Sequence, residues 1–316
     1  MRMLPAGKYA RIVGWRLANA AAGEHVYPFY CSFKITSKCG LRCKMCNIWK
    51  RPKKDMTTRQ VFDILDNLAD SSITVVSMEG GDPLMRPDLL KILKYAHSKP
   101  FYLFFTTNGQ LFDRRPMKEL CKYIDFLHIS IDEAHCNMEL FERLNEFQGW
   151  GVPICIQTVV TKDKLGALEE KVKKVHAAGA RTVIMPAVHM KDTDDFYPEP
   201  AKFAAEVSRL KRKYPNTIIT TDGFLKNILK PHGCSSSSII VDSDGTLYYP
   251  CHIAESKTAD MTKVPLMEFV RSPEAAKMRS QMAACPKCCG WYQYFATDSW
   301  ISPTGVFSAI RPYLAR

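Results

Sequence analysis

The sequence of 316 residues contains no long apolar run. A helix that spans a membrane needs roughly 18 or more consecutive apolar residues, and no stretch approaches this length. The N-terminal segment also lacks an uninterrupted apolar core, because Lys8, Arg11 and Arg16 divide it, so it does not have the pattern of a secretory signal peptide. We therefore expect a cytoplasmic protein.

Internal repeats and low-complexity tracts are also absent, and no G-x-G-x-x-G dinucleotide-binding motif follows the first predicted strand. Hydrophobic residues make up 46% of the chain and charged residues 24%, as in ordinary globular proteins. The net charge of +12 favours anionic partners such as phosphorylated metabolites, nucleic acid or a membrane surface. A basic surface that only confers solubility explains this charge equally well.

Cysteine is abundant, with 12 residues. A disulfide framework is not expected without an export signal, so metal binding is the better explanation of the clustered cysteines. Four cysteines stand singly in or beside predicted strands and helices, and we expect them to be buried as small apolar side chains. These are Cys31, Cys121, Cys136 and Cys155.

Residues 1–28 form an N-terminal extension, in which the segment 8–22 has the apolar spacing of a helix. A basic amphipathic helix can lie on a membrane, which would place the protein peripherally on the inner membrane surface. We favour the alternative, in which the helix covers an open end or side of the main domain.

Short apolar strands alternate with helices from residue 29 onward. The predicted strands are 29–36, 73–78, 102–107, 126–131, 153–160 and 182–186, and the segment 217–223 has the pattern of a further short strand. The helix predicted after the sixth strand is 200–213, which begins at a proline. Apolar, β-branched strands separated by helices of roughly 10–14 residues indicate a parallel sheet that is buried on both faces. We predict an α/β fold, with a partial (βα)6 TIM-like barrel over residues 29–222. A doubly wound sheet is the competing topology.

Three cysteines lie on the loop after the first strand, where such barrels place their active sites. Cys39, Cys43 and Cys46 have the spacing C-x3-C-x2-C. Three thiolates are one too few to close a tetrahedral zinc site or to ligate a four-iron cluster fully, so one coordination position stays open. A zinc knuckle completed by His25 or Cys31 is the alternative.

This spacing resembles that of the radical S-adenosylmethionine (SAM) superfamily. The resemblance implies that Cys39, Cys43 and Cys46 hold a [4Fe–4S] cluster, whose fourth iron binds the amino and carboxylate groups of SAM. The sequence Gly80-Gly81-Asp82-Pro83, after the second strand, is similar to the GGEP motif of this family. That similarity implies a contact with the SAM amino group.

The resemblance also implies SAM contacts at the ends of the third and fourth strands, from Asn108, Ser130 and Asp132. A turn at Asn108 and helix capping by Asp132 are the alternatives.

The final third of the chain carries a second cysteine pattern. The cysteines are Cys234, Cys251, Cys285 and Cys288, and the adjacent Cys289 is an alternative to Cys288. A hairpin signal at Asp244-Gly245 separates the first two cysteines. The pattern resembles a twitch domain, a shortened SPASM domain, over residues 223–316. This resemblance implies a second, auxiliary [4Fe–4S] cluster, and a structural zinc ribbon is the alternative.

The family resemblance implies an enzyme that reductively cleaves SAM to a 5′-deoxyadenosyl radical, which removes hydrogen from a substrate. It also implies a flavodoxin- or ferredoxin-type electron donor, and an auxiliary cluster that takes an electron, anchors the substrate or is structural. We expect a small metabolite or a lipid or isoprenoid as the substrate, since the N-terminus is basic and amphipathic and residues 300–316 are aromatic.

Two other functions are less favoured by the sequence. Peptide maturation is expected less, because about 28 residues precede the barrel and leave no room for a separate leader-binding domain. RNA modification is disfavoured, since no added β-barrel or basic tail is present. The alternative from another class is a non-catalytic zinc- or Fe–S-binding adaptor that binds nucleic acid through its positive charge.

Overall fold

The computed structural model describes residues 5–229, 233–234, 236–249, 251–252, 257–286 and 289–296. Nine strands are found there: β1 (Tyr30–Thr36), β2 (Val75–Gly80), β3 (Tyr102–Thr107), β4 (Phe126–Ser130), β5 (Ile154–Val160), β6 (Thr182–Pro186), β7 (Ser238–Val241), β8 (Thr246–Tyr248) and β9 (Lys257–Asp260).

Eleven α-helices accompany these strands in the described ranges. They are α1 (Ala6–Ala22), α2 (Thr58–Ala69), α3 (Leu89–His97), α4 (Met117–Leu120), α5 (Leu144–Gln148), α6 (Leu168–Ala177), α7 (Pro200–Lys213), α8 (Asp222–Asn227), α9 (Leu266–Val270), α10 (Pro273–Ala283) and α11 (Tyr292–Ala296). Short 3-10 turns precede or extend several of them, at Ile48–Lys50, Pro83–Met85, Phe112–Arg114, Cys121–Tyr123, Met138–Arg143 and Leu165–Ala167.

The nine strands form one sheet in the order β6-β5-β4-β3-β2-β1-β7-β8-β9. All pairs from β6 to β7 are parallel, and β8 and β9 continue the sheet antiparallel. Because β6 and β9 are the two edges within the described residues, the sheet curves as a partial barrel and does not close. The predicted α/β partial barrel is confirmed.

Local signals place the elements as the sequence suggests. Thr57 caps α2 in a capping box, in which its side chain accepts from the Gln60 backbone N–H while the Gln60 side chain accepts from the Thr57 N–H.

The segment 217–223, which suggested a further strand, forms only one bridge, from Ile218 to Thr182. β7 belongs to the predicted C-terminal unit but pairs with β1, so the sheet runs through both units; the domain boundaries stay predictions.

Helix α1 covers the end of the sheet at which the strands begin. Ile12 is buried in an apolar cluster with Tyr30, Tyr102 and Phe126, which come from the first residues of three strands. Lys8 donates to the carbonyl oxygen of Phe101 beside the same edge. The helix therefore packs on this end of the sheet through Ile12, as the favoured interpretation of the sequence expects, whereas the side chains of Tyr9 and Leu17 are exposed. Among the described residues, no helix combines the length and apolarity needed to cross a membrane.

The isolated cysteines differ from one another in their surroundings. Cys31, Cys121 and Cys155 are buried, as predicted. Cys136 is exposed, so the prediction is wrong for this residue. It lies in the turn after β4 with a φ of +53°, a conformation that carries it away from the core.

Candidate functional site

The cysteine loop between β1 and α2 is fastened at its base. The Ser37 hydroxyl donates to the carbonyl oxygen of Lys53 at 3.2 Å and accepts from the Lys53 N–H at 2.8 Å. The buried Arg86 guanidinium donates to the carbonyl oxygens of Ile35 at 2.8 Å and Met56 at 3.1 Å. Both ends of the loop are therefore held together, and the cysteines project from a closed base.

Gly80 and Gly81 pack directly against the start of this loop. The N–H of Gly81 donates to the Thr36 carbonyl oxygen at 2.8 Å, and the N–H of Asp82 donates to that of Lys38 at 2.7 Å. A Cβ atom at Gly80 would lie 2.2 Å from the Thr36 oxygen, and one at Gly81 would lie 2.1 Å from the Lys38 oxygen. Only glycine permits this backbone contact, so the glycine pair positions the cysteine loop.

One cavity at the carboxyl ends of β1 to β4 brings the predicted residues together. It encloses about 590 Å³ of space between atoms, a volume that includes open solvent. Its lining includes Cys39, Cys43, Cys46, Gly80, Gly81, Asn108 and Ser130. Seven residues that the sequence reasoning did not assign also line it: Leu41, Ile48, Trp49, Glu79, Thr106, Thr107 and His135.

The sulfur atoms have the surroundings of metal-binding thiolates. Cys39 Sγ accepts from the Leu41 N–H at 3.4 Å and faces the Asn108 Nδ2 at 3.6 Å. Burial raises the pKa of the Cys39 and Cys46 thiols, and raises that of Cys43 to about 12. Buried thiols with a raised pKa lose their protons when a metal binds, so these three cysteines are compatible with the ligands of an iron–sulfur cluster.

The described residues do not contain a compact site for a single metal ion. No three His, Cys, Asp or Glu side chains within the described part of the chain are grouped to hold one metal ion. The three loop cysteines instead share the wall of one larger cavity.

Asp82 and Pro83 lie behind the cavity and are not part of its lining. Asp82 is 1% exposed, and its carboxylate accepts from the Leu84 N–H at 2.9 Å and from the Asn108 N–H at 3.3 Å. The Thr107 hydroxyl donates to the same carboxylate at 2.9 Å and 3.0 Å. Burial raises the pKa of Asp82 against these hydrogen bonds. The carboxylate therefore joins the end of β2 to the end of β3.

Asn137 is a site residue that the sequence reasoning missed. Its buried Nδ2 donates to the carbonyl oxygens of Asn108 at 2.8 Å and Ser130 at 2.6 Å, and its Oδ1 accepts from the Asp132 N–H at 3.2 Å. This one side chain holds together two predicted SAM-contacting residues on neighbouring strands. The only indication of this role in the sequence is that Asn137 follows Ser130 by seven residues.

Asp132 is fully buried and also stands behind the cavity. Its Oδ1 accepts from the His135 N–H at 3.0 Å and lies 2.8 Å from His135 Nδ1, and its Oδ2 accepts from the Val159 N–H at 2.9 Å. Asp132 thus orients the imidazole that does line the cavity, and it ties β4 to β5.

A second polar group lies deeper between β1 and β2. Glu79 lines the cavity and is directly across from Lys34 in the strand register. Burial raises the pKa of Glu79, which hydrogen-bonds with Ser32 and Ser77. Lys34 Nζ lies 2.9 Å from His252 Nε2, and burial, followed by the nearby Lys34 charge, lowers the pKa of His252 to about 3. His252 follows Cys251, so this contact connects the two cysteine regions.

The C-terminal cysteines are brought together by the fold. The backbone N–H groups of Cys234 and Cys285 both donate to the carbonyl oxygen of Met282, at 3.3 Å and 3.2 Å. Cys234, Cys251 and Cys289 pack half-buried against the same apolar cluster. Burial, with Cys251 and Cys285 nearby, raises the pKa of Cys289 to about 11. Cys288 lies outside the described residues.

Known proteins with similar sequences are enzymes. The PqqA peptide cyclase of Granulibacter bethesdensis is 24% identical over 255 residues, which cover 71% of this chain and 68% of that protein. The mycofactocin maturase MftC of Mycobacterium tuberculosis is 32% identical over 111 residues, 34% of this chain and 28% of the maturase. The S-adenosylmethionine-dependent nucleotide dehydratase of Selenomonas ruminantium is 35% identical over 104 residues, 32% of this chain and 38% of the dehydratase.

Solved structures share the fold. Streptococcus suis SuiB bound to S-adenosylmethionine matches with a TM-score of 0.69 at 15% identity, over 92% of this chain and 78% of SuiB. The enzyme anSMEcpe with bound AdoMet matches with a TM-score of 0.65 at 17% identity, over 91% of this chain and 94% of that chain.

The family model of the radical SAM superfamily matches residues 33–195. This range is just over half of the 316 residues, and it includes the cysteine loop, the Gly80-Gly81 contact and the ends of β3 and β4. The chain therefore belongs to the radical SAM superfamily.

Proposed function

We propose that this radical SAM enzyme binds its cluster and SAM in the cavity at the ends of β1 to β4 and removes hydrogen from a residue of a peptide substrate. The observation that carries the site is the shared cavity wall, which combines Cys39, Cys43 and Cys46 with Gly80 and Gly81. The family uses a [4Fe–4S] cluster and SAM, and the donor set fits both groups. The resemblance to PqqA peptide cyclase over 71% of the chain supports the peptide.

The residues divide into those that contact the cofactors and those that hold the contacts in place. Cys39, Cys43 and Cys46 would hold the cluster, and the backbone of Gly80 and Gly81 would contact the amino group of SAM. When bound, the cluster supplies one electron and SAM supplies the adenosyl group that takes the hydrogen atom.

We assign SAM contacts to Asn108 and Ser130, and the support is that both line the cavity. Asp82, Pro83 and Asp132 stand one layer behind, so we assign them the positioning of these contacts. Trp49 and Leu41 close the cavity beside the cysteines, and their apolar surface excludes water from the reacting groups.

The peptide replaces the small metabolite or lipid that the sequence reasoning expected. That expectation relied on a basic amphipathic N-terminus and on the aromatic residues 300–316. Helix α1 buries Ile12 against the strands of the sheet, and residues 300–316 lie outside the described residues. Among the relatives in the previous section, the one that matches 71% of this chain is named for a peptide, whereas the nucleotide dehydratase matches 32% of it. The shortness of the segment before the barrel does not decide against a peptide. A nucleic-acid-binding adaptor is not favoured, since these relatives are enzymes.

We also propose an auxiliary [4Fe–4S] cluster on Cys234, Cys251 and Cys285, with either Cys288 or Cys289 as the fourth ligand. The two hydrogen bonds to the Met282 carbonyl oxygen support this assignment, because they bring Cys234 and Cys285, 51 positions apart in the sequence, to one acceptor. The contact of His252, next to Cys251, with Lys34 of β1 supports a role of the auxiliary cluster in binding the substrate or in accepting an electron from it.

The test is deuterium transfer. Reconstituted enzyme is incubated with reductant, SAM and candidate precursor peptides from neighbouring genes, each deuterated at one residue type. With one of the labelled peptides, the released 5′-deoxyadenosine should carry deuterium. With the same peptide in unlabelled form, it should carry none. A variant with Cys39, Cys43 and Cys46 replaced by Ala serves as the control and should release none.

Release of 5′-deoxyadenosine without transfer from any peptide, but with transfer from a deuterated metabolite or lipid, would overturn the peptide assignment. No release from fully reconstituted enzyme would overturn the proposed site itself.

A further inference from the structure

The cysteine loop is a strongly basic segment of the chain. Residues 38–54 contain seven basic residues and no acidic one, so this segment of 17 residues carries more than half of the net charge of +12. The basic residues are Lys38, Arg42, Lys44, Lys50, Arg51, Lys53 and Lys54. Such a concentration beside a redox site is a candidate for electrostatic steering of a partner.

Three of the seven have carboxylate partners. Lys38 pairs with Asp55 at 3.0 Å, Arg51 pairs with Asp192, and Lys53 turns inward to Asp242 and Asp244.

The other four are exposed and form what we call the basic rim. They are Arg42, Lys44, Lys50 and Lys54. None of them forms a salt bridge to a carboxylate of the described residues. Arg42 and Lys50 instead donate to backbone carbonyl oxygens, those of Cys39 and Leu41 for Arg42 and that of Asp192 for Lys50. The positive charges of the rim are therefore exposed to solvent and are not neutralised by a described carboxylate.

A single aromatic side chain connects the rim to the cysteines. The Arg42 guanidinium lies 5.4 Å from the centre of the Trp49 ring, and Lys50 Nζ lies 5.6 Å from it. The same ring donates from Nε1 to the Cys43 carbonyl oxygen at 3.0 Å and lines the cavity. A protein that docks on the rim would thus be separated from a cluster ligand by one residue.

We propose that the basic rim docks the acidic face of a small protein that carries single electrons. The resident cluster must receive one electron in each reductive cleavage, whatever the substrate is. In that step the reduced carrier loses one electron and the cluster gains it, with no bond made or broken. Transient electron-transfer complexes have small interfaces, and charge complementarity raises their association rate more than their affinity. This proposal rests on the cluster of the family and not on the peptide substrate.

The test measures how fast the first cluster is reduced. Fully reduced flavodoxin, an acidic carrier, is mixed with oxidised, reconstituted enzyme in a stopped-flow instrument. We expect the double variant Lys44→Glu, Lys54→Glu to react at least about tenfold more slowly than the wild type at low salt. Raising the ionic strength from about 50 to about 300 mM should slow the wild type strongly and the variant little.

Two controls separate docking from other effects of charge. The first control is the double variant Lys118→Glu, Lys277→Glu, which changes two exposed helical positions outside the rim. Its total charge equals that of the rim variant, and flavodoxin should reduce it as fast as the wild type. Reduction by light and a small neutral deazaflavin should be equally fast in all three proteins. Iron content and the reduction potential of the cluster are measured in each.

Three results would overturn the proposal. Equal slowing in the Lys118, Lys277 variant would mean that only total charge matters. If the rim variant were also reduced more slowly by deazaflavin and had a lower reduction potential, the lysines would act on the potential of the cluster and not on docking. An unchanged flavodoxin reaction with weakened binding of an acidic peptide would assign the rim to the substrate.

Discussion

The N–H of Asp82 donates to the carbonyl oxygen of Lys38 at 2.7 Å, one residue before the first cysteine of the loop. Two motifs that lie more than forty positions apart in the sequence are therefore in direct backbone contact. This contact leaves no space for side chains at Gly80 and Gly81, and it makes the glycine pair part of the support of the cluster.

Gly81→Ala should displace the cysteine loop. The added Cβ would lie 2.1 Å from the Lys38 carbonyl oxygen and 2.8 Å from that of Ser37, so the backbone must move. We expect a folded protein that retains about half of the wild-type iron, because only the first site is disturbed. Iron analysis and circular dichroism measure this. Gly166→Ala is the control, since its Cβ would meet nothing within 4 Å, and equal iron loss in both variants would contradict the explanation.

Asp82→Asn should weaken the junction of β2 and β3. An amide nitrogen cannot accept the hydrogen bonds that one carboxylate oxygen now accepts from Thr107 and Asn108, so a buried donor loses its partner. We expect a loss of about 1–3 kcal/mol in the free energy of unfolding, measured by urea titration. Thr107→Ser keeps the hydroxyl and should cost less. Unchanged stability with a weaker affinity for SAM would instead favour direct contact between Asp82 and SAM.

The fourth auxiliary ligand can be identified by serine substitution. Cys289 lies with Cys234 and Cys251 against one apolar cluster, so we expect Cys289→Ser to lose the auxiliary cluster and keep about four of about eight irons. Cys288→Ser should keep about eight. Iron and sulfide analysis of the purified proteins measures both. The reverse pattern would assign Cys288, and full iron in both variants would mean that neither is required.

His128 should make the stability of the protein dependent on pH. It is buried on β4 between Phe104 and Phe126, and its Nδ1 has no hydrogen-bond partner in the described structure. Burial lowers its pKa to about 4, below the value of about 6.5 expected in the unfolded chain. The neutral ring is favoured in the folded state, so this contribution is complete above about pH 6.5 and is lost as the pH falls towards 4.

The full contribution of His128 is about 3 kcal/mol, and most of the change should occur between pH 6.5 and pH 4. Urea unfolding of the wild type and of His128→Phe at several pH values in this range measures it. The variant should show a flatter dependence, whereas His97→Phe, at the exposed end of α3, should follow the wild type. Parallel curves for His128→Phe and the wild type would contradict the assignment.

Much of the scaffold is predictable from local patterns. The bounds of β3, β6 and α7 agree with the apolar runs and proline positions that predict them, because each is bordered by a strong local signal. The prediction for 217–223 is wrong as a full strand. Thr217 and Ile219 hydrogen-bond with Thr182 of β6, but only one bridge forms, and Thr221 then caps a helix. Short apolar segments are ambiguous when a cap and a strand signal overlap.

The site is predictable only in its outer features. Cys39, Gly81 and Ser130 are recognisable because their chemistry appears at fixed spacing beside predicted strand ends. Asn137 and Glu79 are not, since nothing local distinguishes a buried asparagine that joins two strands from one in a surface turn. Their importance comes from neighbours that are distant in the sequence.

The sequence by itself determined the family, the alternation of strands and helices along the chain and the three cysteines, because these depend on residue type and spacing along the chain. Only the tertiary structure decided that Asp82 and Asp132 stand behind the cavity while His135 and Glu79 face it. The reason is geometric: the direction of a side chain at a strand end depends on the twist of the sheet and on the backbone contacts of the following loop. The Lys38–Asp82 hydrogen bond is such a contact, and it turns the glycine motif towards the cysteine loop.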